Sequence, residues 1–379
     1  MKYYTIEDNK KSIFKIFAIY YICMAVFCVV RIFASLGILP SSIVADTFYT
    51  IFIQVGVLLL LPFGLYCTMF RVKPMFVIES CNFSKINWRV VLISLALGIL
   101  CFFINIAVSS VFNGVISFFG YQFGYSEGSG NTSIANFFLQ LFLVAVLPAI
   151  CEEFIHRGVL LQGIKHIGFK KAIVISSLCF ALLHFNIQQV SYAFVIGLIL
   201  GFVSVVAKNI WPAIIIHFVN NAISVYLDFA SARGWFLGDF LNNLSNTIMS
   251  SNMTVVFFVC AIILIVIVAL LFILIWLLYK QTIIRKVNNA INKVYLSNDV
   301  SRVETNMPLG ISDDEMIKDL LENNTLLNLN YQKMDNPINI VMPKEKSRYK
   351  AKSIDHVFLW GGIVLGGLIT LFTFIWGLL

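Results

Sequence analysis

The feature that most constrains this chain is a series of apolar runs long enough to cross a lipid bilayer. A helix needs about 20 apolar residues to cross roughly 30 Å of hydrocarbon. Nine candidate runs lie near 13–39, 43–70, 90–118, 134–156, 172–187, 190–207, 211–230, 254–278 and 356–379. We therefore predict an all-α fold, a polytopic membrane helical bundle of about eight to nine transmembrane helices. The fifth to seventh runs are short and close together, which predicts that they tilt or that one re-enters the membrane.

The composition agrees with lipid as the solvent for most of the chain. Hydrophobic residues make up 59% of the 379 residues and charged residues only 12%, whereas soluble domains average about 25% charged residues. The net charge is +8, but no polar segment carries a basic stripe interleaved with aromatics, so we expect no nucleic acid partner. The eight cysteines form no C-x-x-C pair and lie mostly in apolar runs, which predicts free thiols.

The distribution of lysine and arginine predicts the orientation of the spans. When Lys15, at the start of the first run, is counted with the N-terminal segment, 25 of the 27 basic residues fall on one side, which the positive-inside rule makes cytoplasmic. The two exceptions are Arg31, within the first run, and Arg233, after the seventh. An odd number of spans then places the N-terminus in the cytoplasm and the C-terminus outside. The first run is too long for the apolar part of a signal peptide, so we expect it to be retained. The abundance of Asn, Ile and Lys favours a bacterial cytoplasmic membrane.

Ionisable side chains within the apolar runs are concentrated between residues 150 and 221. Such side chains cost about 2.5–3.5 kcal/mol each on insertion scales and usually serve a function. Residues four apart share a helix face, which predicts an ion pair between Glu153 and Arg157. Glu152 then points about 100° away, over His156, and is free to act as a base. The alternative is a pair of glutamates at a helix end near the lipid headgroups.

Two later runs carry histidines at membrane depth. His184 lies in the fifth run, and His217 and Asn221 lie one turn apart in the seventh, whereas Asn220 points elsewhere. Taken separately, His184 is typical of a packed core histidine, and the His217–Asn221 pair is typical of interhelical hydrogen bonding.

Together, Glu152, His184, His217 and Asn221 make up the inventory of a water-activating site. They supply a general base, a second group that handles protons and two donors for an oxyanion, which suits attack of water on an amide carbonyl. We interpret His156 and His166 as lying on the cytoplasmic shoulder of the membrane.

Three motifs in this region resemble a known family. The segments Glu152-Glu153-x-x-x-Arg157, Phe180-x-x-x-His184 and His217-x-x-x-Asn221 look like the signature motifs of the CAAX prenyl endopeptidase type II superfamily. That superfamily also contains bacteriocin-processing, bacteriocin-immunity and lysostaphin-resistance-like members. The order and loose spacing match, as does the Trp211-Pro212 sequence before the last motif. The resemblance covers about residues 140–225.

The resemblance implies a role for each motif residue. Glu152 with His184 would activate the hydrolytic water, and His217 and Asn221 would hold the oxyanion. Glu153 and Arg157 would support the site. The inference from the residues alone gives the same roles, except that helix geometry does not rank His184 above His217 as the partner of the base. These roles predict an intramembrane endopeptidase acting on a membrane-associated peptide or protein, with no cofactor.

Three alternatives remain open at this stage. The first is a zinc metalloprotease in which Glu152, His184 and His217 bind Zn²⁺, because two histidines and a carboxylate form a familiar hydrolytic zinc shell. No H-E-x-x-H motif is present, however. The second is a non-catalytic bacteriocin-immunity or scaffold protein. The third is a transporter with a Glu/His proton relay, which would more typically have two repeated halves.

The pattern divides the chain into five parts: N-terminal transmembrane helices (1–133), a catalytic core resembling CAAX proteases (134–230), an extracytoplasmic loop and transmembrane helix (231–279), a cytoplasmic polar segment (280–355) and a C-terminal transmembrane helix (356–379). Within the polar segment, Ser312-Asp313-Asp314-Glu315 is typical of a capping box that opens a short helix. This segment is either a partly ordered linker or a docking site for a regulator or partner.

Overall fold

The computed structural model describes residues 13–38, 42–122, 132–238 and 253–296, together with scattered positions between 363 and 375. The described residues form helices and connecting turns and contain no β-strand. The helices are α1 (Ile13–Ser35), α2 (Ile43–Phe70), α3 (Pro74–Ser80), α4 (Trp88–Phe118), α5 (Ile134–Ile164), α6 (Phe169–Leu182), α7 (Ile187–Ala207), α8 (Trp211–Arg233) and α9 (Met253–Leu296). The prediction of an all-α helical bundle is confirmed.

Seven of the described helices are long and apolar enough to cross a membrane, namely α1, α2, α4, α5, α7, α8 and α9. Large apolar side chains cover their outer surfaces. Val44, Val111 and Phe272, for example, are 79%, 71% and 70% exposed. Helices are suited to hydrocarbon because all their backbone hydrogen bonds are made within the segment. The protein is therefore an integral membrane protein.

The apolar run at 172–187, one of the three runs predicted to tilt or to include a re-entrant segment, contains a helix shorter than the run. The helix at this place, α6, has 14 residues, which is about 21 Å at 1.5 Å per residue. It ends at Leu182, and a turn through His184 and Phe185 leads into α7. The left-handed backbone of Phe185, with φ +47°, reverses the chain there. Because α6 and α7 form a hairpin, the chain returns to the side on which α6 begins, so the predicted orientation does not depend on α6 crossing.

Two further boundaries differ from the sequence prediction. The fourth run was expected to end at residue 156, but α5 continues to Ile164 and buries both His156 and Arg157 inside the protein. Arg157 is thus not a loop residue and drops out of the positive-inside count. Residues 280–296 continue α9 as a helix, while the rest of the polar segment, including its capping box, lies outside the described residues. The predicted last span at 356–379 lies largely outside them as well.

Within the described residues, three stretches of π-helix interrupt the long helices. They are Phe52–Leu60 in α2 and both Leu141–Val146 and Phe154–Leu161 in α5. A proline follows the first two stretches, Pro62 and Pro148 respectively. Since proline lacks an N–H and its ring meets the carbonyl of residue i−4, a widened turn before it relieves the clash. Such π-turns are frequent at functional sites.

Helix α5 lies between the N-terminal helices and the α6–α8 group. Helices α1 and α2 pack on one side of it, and α6 and α8 pack on the other. Small residues allow close approach within the second group, as is common between membrane helices. A Cβ on Gly197 of α7 would lie 3.0 Å from Cβ of Ser177, and one on Gly201 would lie 3.2 Å from a methyl carbon of Ile173. This packing brings the polar residues of α5, α6 and α8 to one place.

Candidate active site

Two adjacent glutamates form the centre of the site. Glu152 and Glu153 are the last residues of the short α-helical segment Leu147–Glu153, directly before the π-helical stretch Phe154–Leu161. Both are buried, at 8% and 0% exposure. A buried carboxylate needs a partner, because transfer of an unpaired charge from water into the protein interior costs about several kcal/mol. The partners of these two residues differ.

The predicted ion pair between Glu153 and Arg157 is present. Nη1 of Arg157 donates to Oε1 of Glu153 at 2.7 Å, and its Nη2 donates to the carbonyl oxygen of Gly197 at 3.0 Å. The same Oε1 lies 2.9 Å from Nδ1 of His217. Glu153 therefore links α5 to α8 through a histidine, and Arg157 links α5 to α7. Because Arg157 lies one helical turn after Glu153, its positive charge compensates the negative charge of Glu153 within the same helix.

The ring of Phe180 on α6 is the common neighbour of three histidines. The ring centroids of His156, His184 and His217 lie 5.2, 5.3 and 5.6 Å from that of Phe180, all edge to face. The guanidinium carbon of Arg157 lies 4.5 Å from the same centroid, within range of a cation–π contact. The structure thus brings together His184 and His217, which sequence analysis assigned to one site. It also adds His156, which was wrongly placed on the cytoplasmic shoulder.

The three histidines are bound through the same ring nitrogen. Nδ1 of His184 faces the carbonyl oxygen of Phe180 at 3.1 Å, and Nδ1 of His156 faces that of Glu152 at 2.7 Å. Nδ1 of His217 faces the carboxylate of Glu153. Carbonyl and carboxylate oxygens only accept, so each Nδ1 carries a proton. In the neutral ring Nε2 is then the acceptor, and a histidine that donates from Nε2 must carry both protons.

Glu152 has a partner that sequence analysis did not identify. Nε2 of Gln54, on α2, donates to Oε1 of Glu152 at 2.9 Å, and both side chains are buried. Gln54 is a polar residue within the apolar run 43–70, and a polar residue in a membrane span is a signal of function. That signal could have placed Gln54 among the candidates, but not its contact with a residue 98 positions later in the chain.

The two asparagines of α8 contact each other. Nδ2 of Asn221 donates to the carbonyl oxygen of Val144, at 3.0 Å, and Nδ2 of Asn220 donates to Oδ1 of Asn221, also at 3.0 Å. Val144 belongs to the π-helical stretch Leu141–Val146 of α5. Asn220 was expected to point away from the site, but its amide fixes which way the Asn221 amide is turned. Each amide nitrogen has two hydrogens, so Asn221 keeps one for another acceptor.

The proposed zinc ligands are not arranged as a metal centre in the described part of the chain. Among those residues, no group of three or more His, Cys, Asp or Glu side chains is placed to hold a metal ion. Nδ1 of His217, one of the three alternative ligands with Glu152 and His184, is bound to Glu153, a contact that by itself is compatible with either role of this histidine.

Comparison with known proteins bears on the same segment. Residues 134–223 match the family model described as type II CAAX prenyl endopeptidase Rce1-like. This segment is similar to a CAAX-type endopeptidase. The matched segment spans α5 to the middle of α8 and so contains all seven named residues of the three motifs, from Glu152 to Asn221. The match, together with the seven apolar helices, supports a CAAX-type intramembrane protease in general. No curated protein matches the chain, and no solved structure matches it.

Gln54 lies outside the part of the chain that matches the family model. The matched residues begin at 134, whereas Gln54 is on α2, in the N-terminal part of the chain. Tyr20 of α1 also reaches the site region: its ring contacts that of His156 edge to face at 5.7 Å, and its hydroxyl donates to the carbonyl oxygen of Cys179 at 2.9 Å. The N-terminal helices therefore form one wall of the candidate site.

Proposed function

We propose that the protein is an intramembrane endopeptidase that hydrolyses a peptide bond of a membrane-associated peptide or protein with water activated by Glu152 and His184. The observation that carries the proposal is the difference between two adjacent buried glutamates. Glu153 has a cationic partner, Arg157, at 2.7 Å, whereas Oε1 of Glu152 receives a neutral amide. Glu152 is therefore the carboxylate with capacity to take up a proton, as a general base requires.

In the first step of this mechanism, Glu152 removes a proton from water as the water oxygen attacks the carbonyl carbon of the peptide bond. The electron pair of the C=O bond moves to oxygen and forms an oxyanion. The proton then passes to the amide nitrogen, with Nε2 of His184 as relay, and the C–N bond breaks. The products are a carboxylic acid and an amine. His184 suits this role because its Nδ1 is already bound to the carbonyl oxygen of Phe180, which fixes the ring.

His217 and Asn221 are the donors we propose for the oxyanion. Asn221 has one amide hydrogen on Val144 and a second one available. His217 donates from Nε2 when it carries both protons, and the carboxylate of Glu153 is the counter-charge for that form. Loss of a single oxyanion donor typically slows an enzyme by about 10²–10³.

We further propose that the reaction needs no bound metal. A general base and two oxyanion donors together provide what zinc would otherwise supply, namely an activated water and a polarised carbonyl. The alternative is a zinc enzyme in which Glu152, His184 and His217 are ligands. It predicts zinc in the purified protein, and the two mechanisms are separated by the metal analysis described in the Discussion.

The substrate class follows from the setting of the site. The matched family is described as type II CAAX prenyl endopeptidases, and Glu152, His217 and Asn221 lie on helices that are long and apolar enough to cross the membrane. We propose that the substrate is a peptide or protein held at the lipid bilayer, such as a precursor with an apolar or lipidated segment.

Comparison of protein N-termini in membranes tests this function without knowledge of the substrate. Membranes from cells that express the wild-type protein, Glu152→Ala or Glu79→Ala would be compared by mass spectrometry of new N-termini. Glu79 is exposed on α3 and serves as the matched glutamate control. We expect a set of new N-termini with the wild type and Glu79→Ala that is absent with Glu152→Ala. The same N-termini with a fully inserted Glu152→Ala protein would refute the proposal.

A further inference from the structure

The side chain of Gln54 connects the N-terminal helices to the candidate base. Gln54 lies in the π-helical stretch Phe52–Leu60, which packs against the short α-helical segment Leu147–Glu153 that carries Glu152. It is 9% exposed and Glu152 is 8% exposed, so the hydrogen bond of 2.9 Å between them is shielded from solvent. A hydrogen bond to an ionised group is stronger than one between neutral groups, and a low local dielectric strengthens it further.

The chemistry of the two groups determines how the amide is turned. An ionised carboxylate only accepts hydrogen bonds, so the side-chain nitrogen of Gln54, and not its oxygen, must face Glu152. The amide oxygen, Oε1, is then directed elsewhere, and it is buried with no hydrogen-bond partner among the described residues. An unpaired buried acceptor costs free energy. A leucine at this position would avoid that cost, so packing alone does not account for glutamine here.

We propose that Gln54 is a positioning residue for proteolysis: it holds Oε1 of Glu152 so that the other carboxylate oxygen, Oε2, meets the water. This inference rests on the proposed function of Glu152. It also assigns an essential part of the site to α2, outside the residues that match the protease family. The active site of this protein is thus completed by its own N-terminal helices.

The expected effect follows from orientation. A carboxylate that is free to rotate spends less time in the geometry that accepts a proton from water, and small displacements of reacting groups cost up to about 10²-fold in rate. Gln54 does not need to contact the peptide for this effect. Loss of its hydrogen bond therefore lowers kcat and leaves KM nearly unchanged.

Kinetics of purified protein in lipid nanodiscs tests the proposal. The probe is a fluorogenic peptide that contains a cleavage sequence recovered from the membrane comparison. Gln54→Leu keeps similar volume and removes the hydrogen bond, and Gln54→Glu keeps the shape but replaces the permanent donor with a carboxyl group. Leu58→Ala is the matched control, because Leu58 is fully buried one turn further along the same π-helical stretch and has no polar role.

We expect Gln54→Leu and Gln54→Glu to lower kcat by about 10-fold to 100-fold with little change in KM. Leu58→Ala lowers thermal stability but keeps the kcat of the folded protein. A wild-type kcat in either Gln54 variant, or a change in kcat no larger than that of Leu58→Ala, would overturn the positioning role. If Gln54→Leu does not fold, the near-isosteric Gln54→Glu decides alone.

The outcome also separates this inference from the proposed function. Activity that survives Glu152→Ala would remove the base, and with it the reason for Gln54 to position it. Activity that is lost in Glu152→Ala but retained in Gln54→Leu would overturn only the role of Gln54.

Discussion

Nδ1 of His217 lies 2.9 Å from Oε1 of Glu153, which is the oxygen that also accepts from Arg157. The same carboxylate oxygen thus accepts hydrogen bonds from Arg157, which has a structural role, and from the ring of His217, a candidate catalytic residue. The contact turns Nε2 of His217 away from Glu153, so the same bond that stabilises the helix packing also sets the orientation of the ring. Stability and catalysis are therefore coupled at Glu153, whereas Glu152 beside it has a different partner.

The first prediction concerns that coupling. Arg157→Ala leaves the carboxylate of Glu153 buried without its cation, which we expect to destabilise the protein by about 3–5 kcal/mol. Glu153→Ala has a similar effect because it leaves the guanidinium of Arg157 buried and unpaired. Thermal unfolding in detergent measures the change. Arg233→Ala is the control: the contacts of Arg233 with the Thr132 carbonyl and the Trp235 ring are at an exposed site near the end of α8, so its loss should cost about 1 kcal/mol or less. Unchanged stability of Arg157→Ala would contradict the structural role of the pair.

The second prediction concerns the packing of α4 on α8. A Cβ on Gly98 would lie 2.6 Å from Cβ of Val219 and 3.2 Å from the carbonyl oxygen of Ile216, so α8 must shift to admit it. We expect Gly98→Ala to destabilise the protein by about 1–3 kcal/mol, as overpacking does. It should also lower activity, because Ile216 and Val219 flank His217. Gly114→Ala on the same helix meets nothing within 4 Å and should be neutral or slightly stabilising. Equal stability of the two variants would show that the contact is not tight.

The fold was predictable from sequence where local rules decide it. The apolar runs predict the long helices. The spacing of Glu153 and Arg157 predicts their ion pair, because residues four apart on one helix are neighbours in any surroundings. The end of α6 was less predictable. His184 belongs to an apolar run, but the run contains the turn that begins after Leu182, and apolar periodicity does not distinguish one long helix from a helix and a turn.

The parts of the site that were missed depend on contacts between helices. Gln54 and Glu152 are 98 positions apart, and no spacing rule connects them. The burial of His156 depends on α6 and α1 packing over α5, which brings Phe180 and Tyr20 against its ring. The π-helical stretches of α2 and α5 change the direction in which the following side chains point, so a constant 3.6-residue period misplaces side chains on those two helices.

The third prediction concerns orientation in the membrane. From the excess of basic residues in alternate loops, we predict that residues 280–355 lie in the cytoplasm and that the C-terminus lies outside. A topology reporter fused after Ser312 should report the cytoplasm, and one fused after Leu379 should report the opposite side. Two cytoplasmic reporters would mean that 356–379 does not cross the membrane.

The fourth prediction concerns metal. Elemental analysis of the active, purified protein should find no stoichiometric zinc, and exhaustive chelation should leave the cleavage rate unchanged. A matched measurement on a known zinc protease confirms that chelation was effective. Stoichiometric zinc, with activity lost on chelation and restored by zinc, would instead make Glu152, His184 and His217 metal ligands.

The most direct test of the central claim is the cleavage rate of Glu152→Gln in lipid nanodiscs, with His184→Ala measured beside it. Glu152→Gln keeps the size of the side chain and removes its ability to accept a proton, so we predict a loss of about 10²–10⁴ in rate with unchanged membrane insertion. His184→Ala should lose activity to a comparable extent. A well-folded Glu152→Gln protein that cleaves its peptide at the wild-type rate would contradict the account, because Glu152 would then not be the base.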